Sequence, residues 1–328
     1  MKIIKAGVDF IPMPTDKDSL LKHIERCGRV CYKSEDKIAE GSAEKFIAGI
    51  IKRGHGAVLE HGAIILQTGY FEWSLIQERI QWLESHNFVF NSFLRFTGDA
   101  DRYIRSGNIR AWRDFLFAYT DYHDCIPGFT RILNVNYPEL FSEFKYEDVD
   151  AIGGADRVIE LHVSDLVTEN ERMHHQYQTL LFTCDRGVSH ELVRHRPSSF
   201  CQESTRYCNY SKDGFGNEIT VIEPLFFTRG TDTYRMWECS CENSEIAYFG
   251  LLNAGRSPQE ARSVLPNSLK TELMMTATLG EWRHIINLRC DVAAHPQARE
   301  VSKIALRHLH DNCAGMFDDQ MEVFGYGE

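Results

Sequence analysis

Apolar residues recur at helical spacing from the first part of the chain onward. In residues 19–31 (SLLKHIERCGRVC), Leu20, Leu21, Ile24, Cys27 and Val30 share one face behind Asp18 or Ser19 as N-cap, which predicts an amphipathic helix. A second helix is predicted from Ser42 to Arg53, with Phe46, Ile47, Ile50 and Ile51 on its apolar face and Gly54 as its stop. The segment Gly54-His55-Gly56-Ala57-Val58-Leu59-Glu60-His61-Gly62 then turns into a short Ile- and Leu-rich run, AIILQTGY (63–70), that reads as a buried strand. Further on, the spacing predicts a helix over 71–85, a strand over 88–96 and a helix from Arg102 to Ala118 that faces a core with Ile104, Trp112, Phe115 and Leu116. Residues 121–150, with Pro127, Gly128 and Pro138, read as a surface connection or insertion.

The pattern sharpens from Tyr177. YQTLLFTCD (177–185) predicts a strand, and Arg186 to Arg194 a short helix that places Glu191 and Arg194 on one face. ITVIEP (219–224) has the β-branched content of another strand. The last third reads as mostly helical. It has a Ser-Pro start at Ser257 with a limit at Pro266, a stretch from Asn267 to Arg289 carrying Leu273, Ala277, Trp282, Ile285, Ile286 and Leu288, and a terminal amphipathic helix over 298–317.

Composition narrows the classes. With 328 residues, 43% of them hydrophobic, the chain can bury at least one large core. Its 36 Lys+Arg against 47 Asp+Glu give a net charge of −11, which disfavours broad nucleic-acid binding. No apolar run is long enough to span a bilayer, and MKIIKAGVDFIPMP lacks the continuous apolar core of a secretory signal. The ten cysteines are therefore expected to be reduced thiols in a cytoplasmic protein. Cys239-x-Cys241 and Cys27-x3-Cys31 lack well-spaced partners, so no metal site is expected. His174 and His175 are adjacent and point apart, which argues against a ligand pair.

The candidate chemistry gathers in residues 194–207, where Arg194, His195 and Arg196 precede Pro197 and are followed by Ser199, Gln202, Glu203, Ser204, Thr205, Arg206 and Tyr207. Pro197 disfavours a continuing helix, so the run reads as a loop that holds something negative. Guanidinium groups suit a phosphate because they are planar, permanently charged and bidentate. A phosphate-binding module without turnover and an RNA patch stacking on Phe200 and Tyr207 are the rival readings, and the negative net charge counts against the second. Arg289, at the end of an apolar run, would by itself be an ordinary C-terminal cation, and His55 and His61 would by themselves cap and fill a turn.

Taken together, these residues resemble the flavin-dependent thymidylate synthases, the ThyX family. The run Arg194-His195-Arg196, Ser199, Ser204, Arg206-Tyr207 follows the family pattern RHRxxSxxxxSxRY. His55-x4-Glu60-His61, EARSVLP around Arg262 and the Leu288-Arg289 segment are similar to three further family segments in the same order. The resemblance spans residues 1–70 and 172–310. It implies a single catalytic domain over 1–328 with an insertion at about 71–171. The implied fold is α+β, a mainly antiparallel sheet flanked by helices with an inserted helical or irregular segment, assembled as a homotetramer with shared active sites.

The resemblance further implies reductive methylation of dUMP to dTMP, with 5,10-methylenetetrahydrofolate as carbon donor and NADPH as reductant through bound FAD. The dUMP-binding residues would be Glu191, Arg194, Gln202, Glu203, Ser204, Thr205, Arg206, Arg262 and Arg289, with Arg289 catalytic. The FAD-binding residues would be His61, Arg194, His195, Arg196, Gln202 and His284. Some members carry Gln at the position of Glu191, Glu at that of Gln202 and Asn at that of His284, which redistributes donors and acceptors. No cysteine stands in a Pro-Cys-His setting, as a thiol nucleophile for uracil would require, and no Gly-x-Gly-x-x-Gly dinucleotide fingerprint occurs.

Overall fold

The computed structural model describes residues 1–69, 93–99, 102–119, 127–145, 158–212 and 215–325, with isolated positions between 70 and 92. Strands β1 (Lys2–Ile4) and β2 (Gly7–Ile11) lead into helices α1 (Lys17–Val30), α2 (Ser42–Lys52) and α3 (Gly56–Leu59), then β3 (Ala63–Thr68). Next come β4 (Arg95–Asp99), β5 (Arg102–Asn108), α4 (Ile109–Tyr119), α5 (Pro127–Asn136), α6 (Pro138–Phe141), β6 (Ile159–Leu161) and α7 (Glu169–His175). The remainder is β7 (Tyr177–Asp185), α8 (Arg186–Leu192), β8 (Ser199–Gln202), β9 (Thr220–Ile222), α9 (Asp232–Asn253), α10 (Pro258–Ala261), β10 (Lys270–Thr278), α11 (Leu279–Arg289), α12 (Pro296–Asn312) and α13 (Asp318–Phe324).

The main sheet has the order β2-β7-β10-β8, antiparallel throughout. β10 pairs with β7 along its whole length, from Lys270 opposite Asp185 to Thr278 opposite Tyr177, and with β8 on its other side. A second antiparallel sheet has the order β4-β5-β3-β6, and β1 pairs with β9 in parallel. This is the α+β class expected. Among the described residues, no helix is long and apolar enough to cross a membrane.

Several elements differ from the sequence reading for physical reasons. Asn267 to Arg289 is not one helical stretch: its first part is β10. Leu273 and Ala277 are four apart and mimic a helical stripe, but helices cover both faces of the strand, so it is apolar on both. Met274 joins the core under α1 and α2, whereas Leu273, Met275 and Ala277 join the core under α11 and α12. Thr278 then ends the strand and caps α11, accepting from the Glu281 N–H at 3.4 Å. Arg102 to Ala118 likewise divides into β5 and α4, with Asn108 Oδ1 accepting from the Ala111 N–H at 2.8 Å at the junction.

The N-cap of α1 is Asp16 rather than Asp18 or Ser19. Ser19 is its reciprocal partner, donating its N–H to Asp16 Oδ1 at 2.8 Å and accepting the Asp16 N–H at 3.1 Å. Gly54 closes α2 as expected, at φ 68°. α8 stops at Leu192, so Arg194 lies beyond the helix and does not share a helical face with Glu191. Residues 127–141 are not a surface connection, because Phe129, Leu133, Leu140 and Phe141 are buried in the same core as α1 and α2. Strands β4, β5 and β6 join β3 in the second sheet. The helix expected over 71–85 and most of the strand expected over 88–96 lie outside the described residues.

Trp282 of α11 is fully buried beneath the main sheet, and its indole N–H donates to the Gln178 carbonyl at 2.9 Å. Trp282→Ala removes both the packing and that bond, so it is expected to lower stability by about 3–5 kcal/mol, read as a shift in the urea midpoint. An unchanged midpoint would contradict the placement of α11 as the cover of this sheet.

Candidate active site

Three elements meet at the end of the main sheet. β7 runs into α8, whose N-cap Asp185 accepts from the Val188 N–H at 2.7 Å, and α8 carries Glu191. β8 carries Ser199 to Gln202 and leads directly into Glu203 to Tyr207. α11 ends on Arg289.

Arg289 is clamped from two sides. Its Nη1 donates to Glu191 Oε2 at 2.5 Å, its Nη2 to the Glu191 carbonyl at 2.8 Å, and its Nε to His195 Nε2 at 2.8 Å. A guanidinium has five N–H donors, so these three bonds leave two for another molecule (5 − 3 = 2). Because Arg289 can only donate, His195 Nε2 must accept, which places the proton of the neutral ring on Nδ1. His195 is buried, and that burial lowers its pKa to about 4; the charges of Arg289 and His284 push the same way, with Glu191 opposing.

One ligand-type atom each from His195, Glu281 and His284 lie within 4.8 Å of one another. This is the donor set of a metal site. A metal-bound imidazole, however, normally donates from its second nitrogen, and the Arg289 contact requires that nitrogen to accept. The cluster is better described as a neutral imidazole beside an exposed histidine and a carboxyl group whose pKa burial raises.

Gln202 is fixed from below, its amide N–H groups donating to Ser189 Oγ at 2.8 Å and Thr271 Oγ1 at 3.2 Å. Glu203 is buried and its carboxylate is already engaged by Lys270 Nζ at 3.0 Å. Lys270 also reaches Glu272 at 2.5 Å, and Lys33 reaches the other Glu272 oxygen at 2.7 Å, so charges alternate in a ladder under the loop. Glu272 has its pKa lowered by these two lysines against the opposing effect of burial, the largest single influence on it. Sequence reasoning missed this ladder, although Lys270 and Glu272, two apart on a strand, share a face.

Above the ladder, the Ser204 N–H donates to the Cys31 carbonyl at 3.1 Å and the Arg206 N–H to Ser204 Oγ at 3.3 Å. Arg262, on a single turn of 3-10 helix after α10, brings Nη1 to Thr205 Oγ1 at 3.4 Å. Arg194, Arg196 and Arg206 are exposed, and Arg194 and Arg196 form no ion pair among the described residues. The structure thus brings Glu191, His195, His284 and Arg289 together on one side and Ser204, Thr205 and Arg262 on the other, with β8 and Gln202 between.

His61 does not join them. It is fully enclosed, with Nδ1 on Thr276 Oγ1 at 2.7 Å and Nε2 buried without a partner, and it has no exposed atom to offer a cofactor. The exposed histidine of that segment is His55, which lines a cavity of about 700 Å3 with Cys31, Tyr32, Phe200 and Cys201. His175 is also enclosed, between Thr97 Oγ1 at 2.7 Å and Ser106 Oγ at 2.8 Å, apart from His174.

Parts of the chain are similar to known proteins. Residues 162–313 match the family described as thymidylate synthase complementing protein. The flavin-dependent thymidylate synthase of Thermococcus onnurineus is 27% identical over 175 residues, covering 52% of this chain and 70% of that protein. That of Geobacter sulfurreducens is 31% identical over 134 residues, covering 41% of this chain and 56% of that protein. Among solved structures, PolB of Streptomyces cacaoi, a UMP/dUMP methylase, aligns over 99% of this chain and 98% of its own at 15% identity, with a TM-score of 0.41, too low to carry an argument here. Over these stretches the chain is similar to the flavin-dependent thymidylate synthases.

Four enclosed histidines give the site and its surroundings a common pH response. Burial lowers the pKa of His195 and His23 to about 4 and that of His61 and His175 to about 3, from 6.5. The unfolded chain therefore takes up protons near pH 6.5 that the fold refuses. This stabilisation is present above pH 6.5 and is lost as pH falls from there toward 4, by at most about 1.4 kcal/mol per pH unit for each histidine. Urea midpoints should fall across that window, and the slope should lessen in His61→Gln; a midpoint that stays level would refute the assignment.

Proposed function

We propose that this chain converts dUMP to dTMP, taking the carbon from 5,10-methylenetetrahydrofolate and reducing equivalents from NADPH through bound FAD. The observation that carries this reading is Arg289, held by Glu191 and His195 with two N–H groups free, beside a run of exposed arginines that begins at Arg194. A guanidinium fixed in advance stabilises negative charge that develops on a pyrimidine without having to reorganise.

In this reading dUMP lies along Arg194, Gln202, Ser204, Thr205, Arg206 and Arg262, with Glu191 and Arg289 at the base. Glu203 sits under the same nucleotide and acts through the loop it anchors, since Lys270 already takes its carboxylate. Arg262 and Arg206 supply cations for the phosphate.

The residues present fit FAD in their donor chemistry. Arg194 and Arg196, without an ion pair among the described residues, offer guanidinium groups suited to a pyrophosphate, and His195 between them is neutral and meets the His284 ring edge-on. Arg194, His195, Arg196, Gln202 and His284 would hold it, with His55 taking the place expected of His61. When bound, the flavin supplies two-electron redox chemistry, so no cysteine nucleophile is required.

A homotetramer with shared sites fits the surface around Arg289, where Leu288 is 51% exposed and Val292 84% exposed. Residues 1–328 are read as one catalytic domain with 71–171 inserted. The described cysteines are all free thiols, as a cytoplasmic protein would keep them.

The test is an anaerobic assay of dTMP formation with dUMP, methylenetetrahydrofolate, NADPH and FAD. Protein that binds no flavin after reconstitution would sink the reading. Arg289→Ala should lower dTMP formation by at least about 10²-fold while circular dichroism stays unchanged. Arg289→Lys, which cannot hold Glu191 and His195 together, should recover little. Wild-type turnover in either variant would remove Arg289 from the chemistry.

A further inference from the structure

Two thiols that this reaction does not use line one cavity beside the candidate site. Cys31 is the C-cap residue of α1, and Cys201 lies in the middle of β8, opposite Met274 of β10. They come from segments 170 residues apart (201 − 31 = 170), yet both line the 700 Å3 cavity that also holds Tyr32, His55 and Phe200.

Their environments differ in a way that assigns them different parts. Cys31 is half-buried and opens on the cavity, whereas Cys201 is 2% exposed. Cys201 and the Gln202 backbone N–H lie beside the Cys31 sulfur, where they favour its thiolate and lower its pKa. Its contact with Cys31, together with burial, raises the Cys201 thiol well above its ordinary range. Every other described cysteine with a resolved shift moves up, through burial. An accessible thiolate with a second thiol in contact is the arrangement of a redox-reactive pair, one nucleophile and one resolving group.

We propose that Cys31 and Cys201 form a modification site for hydroperoxides that closes to a disulfide between the end of α1 and β8. The chemistry balances. Cys31 thiolate attacks one peroxide oxygen, the O–O bond breaks, and the departing hydroxide is protonated to water, leaving a sulfenic acid on Cys31. The Cys201 sulfur then attacks the Cys31 sulfur, the S–O bond breaks, and hydroxide leaves with the Cys201 proton as a second water. Two thiols are oxidised by two electrons and one peroxide is reduced.

The bond also acts on the neighbouring loop. A disulfide holds its sulfurs about 2.05 Å apart with a fixed torsion, so it would tie the end of α1 covalently to β8. Cys201 is followed directly by Gln202, Glu203 and Ser204, and the Ser204 N–H already rests on the Cys31 carbonyl at 3.1 Å. Oxidation therefore restrains the 203–206 run from both sides and alters how it can close on a ligand. The predicted loss of dUMP turnover rests on reading that run as the nucleotide loop, whereas the thiol chemistry does not.

The test uses the full chain, reduced, desalted and exposed to a few equivalents of hydrogen peroxide, then alkylated, digested and analysed by mass spectrometry. The expected product is a peptide pair joined through Cys31 and Cys201, lighter by two hydrogens and separated by dithiothreitol. Cys31→Ser should give no such pair. Cys201→Ser, or Cys201→Ala if the serine variant folds poorly, should stop at a sulfenic acid on Cys31 that dimedone traps.

In parallel, dTMP formation by the wild type should fall at least roughly tenfold on oxidation and return with dithiothreitol, as expected when a binding loop is restrained from closing on its ligand. Absence of the Cys31–Cys201 pair, or oxidation mainly at other cysteines, overturns the proposal. A pair that forms with turnover unchanged overturns its effect on the loop. A protein that makes no dTMP even when reduced overturns the reading of the reaction, and the mass spectra still decide the thiol chemistry.

Discussion

The site depends on one constraint, the registry of β10 between β7 and β8. Pairing with β7 places Lys270 opposite Asp185, the N-cap of α8, and so fixes where Glu191 hangs. Pairing with β8 places Leu273 opposite Gln202 and so fixes where the 203–207 run leaves the sheet. β10 itself continues without a linker into α11, whose last residue is Arg289. A slip of one residue would turn Leu273, Met275 and Ala277 toward the wrong core, so the hydrophobic pattern that holds the registry also holds the distance from Arg289 to His195.

Electrostatics divides between two levels of the molecule. Beneath the loop, Lys33, Glu272, Lys270 and Glu203 alternate in sign and satisfy one another. Above it, Arg194, Arg196 and Arg206 are left exposed. A chain of net charge −11 thus keeps a local positive surface by spending its acidic residues elsewhere, with Glu191 the main carboxylate turned toward the cationic cluster. Glu191 offsets the guanidinium it holds, which leaves the site able to attract an anion without an unpaired cation buried at its base.

Much of this was legible in the chain, and the failures share a cause. α2, with its Gly54 stop, and β7, with Leu180, Phe182 and Cys184 buried along one stretch, match the sequence reading because local pattern and tertiary environment agree there. β10 and β5 were read as helix because strands covered on both faces lose their alternation, and Leu273 with Ala277 then looks like a helical stripe. The 194–207 cluster stood out by composition. Its long-range partners, Arg262 and Arg289, were found only through a family pattern, since nothing local in EARSVLP or NLRC signals a shared site. His61 was misplaced for the converse reason: a segment can keep its histidine spacing while the fold turns one ring inward and leaves its neighbour His55 outside.

The second sheet has an architectural consequence. β3 lies between β5 and β6, both of which come later in the chain. Ile65 is buried against Ile104 of β5 and Leu161 of β6, whereas Ile64 and Leu66 join the core under α1 and α2. β3 is therefore held on both sides by residues that follow it in the chain, and without β5 and β6 it would present two bare edges to water.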